Sequence, residues 1–147
     1  MFKRSSLRAH ATAALHLKDA AGKPMFFQPA ASAEGEKVQP SPVLITLYGP
    51  GSEVNINAQQ EAKRRLLAWA KETGKDLQAR GPAERAADVA DVLASITAGV
   101  EGIDLEGKSL TDGVRDLYAD PLCGYIVDQV NAFAADWANF SNGAPKA

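Results

Sequence analysis

Pro42-Val43-Leu44-Ile45-Thr46-Leu47-Tyr48-Gly49-Pro50-Gly51-Ser52 organises the reading of the whole chain. Pro42 to Tyr48 reads as a strand, β-branched and apolar, the composition of a strand with a buried face. Gly49 to Ser52 then ends the strand sharply, with Ser52 or Asn55 placed to cap a following helix. A phosphate-binding loop occupies the same position in other folds, because backbone N–H groups and a helix N-terminus converge on an anion there. Here no Lys-Ser/Thr pair follows the glycines, Val54 stands where a dinucleotide fingerprint needs its third glycine, and Pro50 removes a donor. The segment reads as a structural turn.

Downstream of the turn the pattern is helical. Ala58, Ala62, Leu66 and Trp69 share one face of a helix from about Ile56 to Glu72, with Lys63, Arg64 and Lys71 on the other. Gly74 is placed to stop it. A second helix is expected from Pro82 to Val100, with Ala86, Val89, Ala90, Leu93, Ile96 and Val100 as its apolar stripe. Residues 102–108 read as an irregular connection. A short helix from Thr111 to Tyr118 follows, capped by Thr111, and Asp120-Pro121 breaks it. A final helix is expected from Leu122 to Phe140, with Ile126, Val130, Phe133, Trp137 and Phe140 in one amphipathic stripe. The tail 141–147 is expected to fray.

Upstream the pattern is β. Ala11 to Leu17 alternates in part, Lys18 to Pro24 is turn chemistry, and Met25-Phe26-Phe27 reads as the returning strand of a hairpin. Residues 28–41, rich in Ala, Ser, Glu, Gly and Pro, read as an exposed mobile loop. The expectation is a single α+β domain over 1–147. Its β-rich front (1–49) holds a small antiparallel sheet, a hairpin plus one further strand, packed on a helical part (54–140) of about four helices.

Composition narrows the functional classes. The 147 residues are 46% hydrophobic and 23% charged, ordinary for a soluble globular domain. One cysteine excludes an internal disulfide framework, fits a reducing intracellular setting and, with His10 and His16, makes no zinc pattern. No apolar run approaches the roughly 18 residues of a membrane span. Residues 1–41 carry a balance of +3, residues 42–81 +2 and residues 82–147 −7. Such asymmetry suits steering of a charged partner, head-to-tail contacts between copies, or plain solvated helix faces. The few basic residues lack interleaved aromatics, so nucleic-acid binding is not expected.

Residues that carry chemistry elsewhere point to structure here. The pairs Asp88/Asp91, Asp104/Glu106 and Asp112/Asp116 have no desolvated cleft implied around them, and Asp88 and Asp91 fall opposite the apolar stripe. His16 has no nucleophile signature nearby. Cys123 reads as a small residue beside the core. No catalytic residue, cofactor or metal is expected. The aromatic stripe has two readings: core packing, or a groove for an apolar partner segment with Trp69, Ile126, Val130, Phe133, Trp137 and Phe140 as anchors.

Between residues 42 and 140 several segments together resemble the small tail assembly chaperones of long-tailed bacteriophages. They are Leu47 to Ser52 followed by Ala58 to Arg65, then Gly102 to Leu110, Leu117 to Pro121, and Gln129-Val130 through Asn139-Phe140. The resemblance implies a non-enzymatic role in the host cell cytoplasm. Such chaperones coat the hydrophobic, helical tape measure protein, keep it soluble, recruit tail tube protein around it and leave the finished particle. No residue role transfers, because the family has no fixed binding motif. Association of copies into a homo-oligomer is compatible with the charge pattern. The alternative expectation is a structural virion protein of the phage tail or head-tail connector.

Overall fold

The computed structural model describes residues 1–29 and 39–141. In chain order the strands are β1 (Thr12–His16), β2 (Phe26–Phe27), β3 (Ser41–Pro42), β4 (Leu44–Tyr48) and β5 (Thr97–Glu101). The helices are α1 (Glu53–Thr73), α2 (Pro82–Ser95), α3 (Leu110–Ala119) and α4 (Gly124–Ala135). The α+β architecture is as the sequence implies: a small antiparallel sheet lies against four helices.

The apolar strand β4 is central, with β1 on one side and β5 on the other, both antiparallel. Ile45 and Leu47 are fully buried, and their cross-strand partners Leu15 and Ala13 face the same core. Strand β4 therefore buries one face against the helices, which is what fixes its register. The core joins Leu17, Val43, Ile45 and Leu47 to Leu93 and Ile96, Val114 and Tyr118, and Ile126 and Val130.

The third strand comes from an unexpected place. The expected helix 82–100 stops at Ser95, and Thr97–Glu101 turns back as β5 along β4. Two physical causes act here. Gly99 weakens a helix while the β-branched Thr97 and Val100 favour an extended chain, and the free edge of β4 needs a partner for its N–H and C=O groups. Thr97 fixes the junction: its hydroxyl donates to Leu93 O at 2.7 Å and pairs with the Tyr118 hydroxyl at 2.8 Å.

The front differs as well. Residues 17–25 do turn back, with Met25 N–H donating to Leu17 O and a bridge between Lys18 and Pro24. The strand partner of β1 is nevertheless β4, while β2 pairs with β3 in a separate two-stranded sheet. Ser41 and Pro42, assigned by sequence to the end of a mobile loop and the start of the next strand, form β3. Residues 30–38 of that loop, and 142–147 of the expected frayed tail, lie outside the described residues.

Ser52 caps α1, accepting from Asn55 N–H, and Gly74 ends it in the left-handed region at φ 66°. Helix α3 is capped by Ser109 rather than Thr111, because Ser109 Oγ is the oxygen that reaches the Asp112 N–H. The expected helix 122–140 is shorter and interrupted. A 3₁₀ turn, Pro121–Cys123, precedes α4, and α4 stops at Ala135. Asp136 is extended, and its carboxylate accepts from Ala138 N–H to start a second 3₁₀ turn, Trp137–Phe140. Asp competes with the helix by bonding the backbone two residues on.

Candidate partner-binding surface

That break at Asp136 divides the expected aromatic stripe. Ile126, Val130 and Phe140 are core residues, at 5%, 0% and 0% exposure, and have no area to offer a partner. Phe133 is half-buried, with its ring edge-on to Phe140 at 5.7 Å between centroids. Trp137 is 57% exposed. Trp69 is half-buried, on a different helix and in a different environment.

Phe140 and Trp137 pack on the glycine turn that ends β4. A Cβ placed on Gly49 would lie 2.7 Å from the Phe140 ring, and one on Gly51 would lie 2.8 Å from the Trp137 ring. Only glycine permits that approach. The turn is thus covered by aromatic rings, and several of its polar groups are used internally. Ser52 Oγ donates to Gly49 O at 2.8 Å, and Asn55 Nδ2 donates to Tyr48 O at 3.1 Å. The N-terminal segment closes the same corner, with His10 N–H donating to Phe140 O and Gly49 N–H to Ala11 O.

Beside Trp137 these elements enclose an open groove of about 610 Å³. Leu7, Arg8 and His10 form one wall, Tyr48 and Val54 another, with Glu53 at the start of α1. Leu7 is 68% exposed, and Val54 is exposed too. Three apolar side chains from three distant parts of the sequence therefore converge on one groove. Sequence reading assigned Trp137 to a helix face and gave no weight to Leu7 or Val54. The available signal was Gly49-Pro50-Gly51, a bare turn with no side chains of its own to cover it.

A second region stands away from the core. Between Ala58 and Ala90 no residue is buried, so the far part of α1, the turn Leu77–Ala79 and the first half of α2 form an arm. Trp69 belongs to this arm. The Arg80 guanidinium lies over its ring at 4.9 Å and also pairs with Asp88 on α2. Asp91, the next carboxylate along, sits between Arg115 of α3 at 2.9 Å and Arg65 of α1 at 3.6 Å. Asp91 thus ties α2 to α1 and α3, and Asp88 holds the Arg80 that covers Trp69, where the pattern implied a plain solvated face.

The remaining sequence-level candidates have local roles. His16 Nε2 donates to Met25 O at 2.8 Å, and its ring meets Phe26 edge-on. Cys123 is half-buried in the wall of a small cleft of about 220 Å³ with Ile103, Leu105 and Leu117. Burial pushes its thiol up, and the Asp120 carboxylate adds to the effect. Lys108 and Asp116 pair across the rim of that cleft. Among the described residues no group of three or more His, Cys, Asp or Glu is placed to hold a metal ion, and no helix is long and apolar enough to cross a membrane. Comparisons with protein-family models, curated proteins and solved structures find no match to this chain.

Proposed function

We propose that the protein is a non-enzymatic tail assembly chaperone of a long-tailed phage. In this reading it acts in the host cell cytoplasm, holds apolar helical segments of the tape measure protein in solution, and helps bring tail tube protein to them. The observation that carries the reading is the groove at Trp137, an exposed ring seated on a glycine turn with Leu7 and Val54 lining the same space. A helix laid in an apolar groove is recognised through anchors of this kind, and aromatic anchors dominate such interfaces. Trp137→Ala is expected to weaken binding by about 2 kcal/mol, roughly 30-fold.

The arm supplies further open apolar area at Leu67 and Leu77 for a long partner. The sequence resemblance over 42–140 supports the same assignment. Its test has two arms. Co-expression with a fragment of the tape measure protein is expected to raise the soluble yield of that fragment, and Trp137→Ala to lower it again. Mass spectrometry is expected to find the protein abundant in a lysate and missing from purified particles. A stoichiometric copy number in particles would leave the structural virion protein in place of the chaperone.

A further inference from the structure

The N-terminal segment that contributes Leu7 and Arg8 to the groove is cationic. The first eighteen residues carry Lys3, Arg4, Arg8 and Lys18 and no Asp or Glu. Lys3, Arg4 and Arg8 are exposed, and among the described residues none of the three pairs with a carboxylate. Met1 and Phe2 before them and Leu7 among them are exposed as well. Arg8 and His10 line the groove itself, and the lining carboxylate is Glu53. Glu53 lies in the first turn of α1, where the helix macrodipole already offsets part of its charge. The N-terminal segment, whose Leu7 and Arg8 reach the groove, is therefore a cationic strip with apolar residues set into it.

We propose that the occupant of this groove is an amphipathic helical segment whose apolar edge fills the space between Leu7, Val54 and Trp137 and whose flank toward residues 3–8 is acidic. The inference rests on the docking reading above and adds the chemistry of the partner. Charge complementarity carries it. An acidic flank gives three unpaired cations a counter-charge and speeds encounter, whereas a basic flank places like charges side by side. A nucleic acid also complements the cations, through its phosphates. It leaves aliphatic Leu7 and Val54 facing sugar and phosphate, without the run of stacking rings that single strands use.

The experiment uses the full chain and three labelled helical peptides with one shared apolar face and Glu, Gln or Lys on the flank. Fluorescence anisotropy is read at low and at physiological salt. The Glu peptide is expected to bind at least about tenfold tighter than the Gln peptide at low salt, the Lys peptide most weakly, and the gap to narrow as salt rises. A variant carrying Arg4→Glu and Arg8→Glu is expected to reverse the order while its melting temperature stays unchanged. Equal binding of all three peptides, still lost in Trp137→Ala, would overturn the charge proposal and leave the docking reading standing. Binding of none, or equal binding by Trp137→Ala, would overturn both. Displacement of the Glu peptide by a single-stranded oligonucleotide at lower concentration would make nucleic acid the partner. A peptide that binds only as a sedimenting oligomer of the chain dissociates would make a second copy the occupant. Either result overturns the proposal.

Discussion

The two tryptophans mark two regions built on different principles. Trp137 stands on the packed end, where sheet, α3, α4 and the second half of α2 share one core, and its ring is seated on backbone at Gly51. Trp69 stands on the arm, where nothing between Ala58 and Ala90 is buried and its ring is covered by Arg80. Helix α1 has 21 residues and is about 31 Å long. Its buried residues, Asn55 and Ala58, lie in its first six positions. The packed end is held by burial, and the arm by ion pairs, a cation–π contact and helix propensity. The difference teaches that an end with a shared buried core and an extension with none coexist in one small chain.

The largest expected effect comes from the packed end. Phe140→Ala empties a fully buried site under Gly49 and is expected to cost about 3–5 kcal/mol. Leu66→Ala on the arm, half-buried, is expected to cost about 1 kcal/mol. Denaturant titration of both checks the contrast, and similar costs would break it. Next in size is Tyr118→Phe, which removes the bond to Thr97 in the core and is expected to cost about 1 kcal/mol.

Tyr118 also predicts a pH dependence. Burial pushes its hydroxyl from an ordinary value of 10 up to about 12. A raised folded value means that its stabilising contribution is complete below pH 10 and falls as pH rises toward 12, since the unfolded chain ionises first. Stability measured between pH 9 and 11 is expected to fall more steeply in the parent than in Tyr118→Phe. Parallel slopes would contradict a buried, neutral Tyr118.

The smallest effect belongs to the arm. Arg80→Met removes the contact over Trp69 and the pair with Asp88, and is expected to cost about 0.5–1 kcal/mol. Hydrogen exchange is expected to quicken at 66–88 in that variant and stay unchanged in β4. Faster exchange throughout the sheet would show that arm and core open as one unit.

How legible this was depended on whether local signals agreed with one another. Strand β4, the turn at Gly49–Ser52 and the stop of α1 were readable, because an apolar run, glycines and a terminal glycine agree there; α1 itself begins at Glu53, three residues before the expected Ile56, because Ser52 rather than Asn55 is its cap. Strand β5 was hidden. Val89, Leu93, Ile96 and Val100 fit a helical stripe, and the competing demand of the β4 edge is a long-range fact that no local window contains. The break at Asp136 was hidden for a related reason: helical spacing continued through a residue whose carboxylate caps the next turn. Of the six residues that the sequence pattern points to as partner contacts, Trp137 and the half-buried Trp69 and Phe133 retain exposed area, while Ile126, Val130 and Phe140 lie in the core. Leu7 and Val54 reach the groove only through tertiary structure.

The measurement that bears most directly on the central claim is the emission of Trp137 alone. The chain has two tryptophans, so Trp69→Phe leaves Trp137 as the reporter and Trp137→Phe leaves Trp69. Titration with the Glu-flanked helical peptide is expected to shift the emission of Trp137 to the blue and to saturate, with Trp69 unchanged. A peptide that binds while Trp137 stays unchanged, or while Trp69 responds in its place, would contradict a docking groove at the packed end.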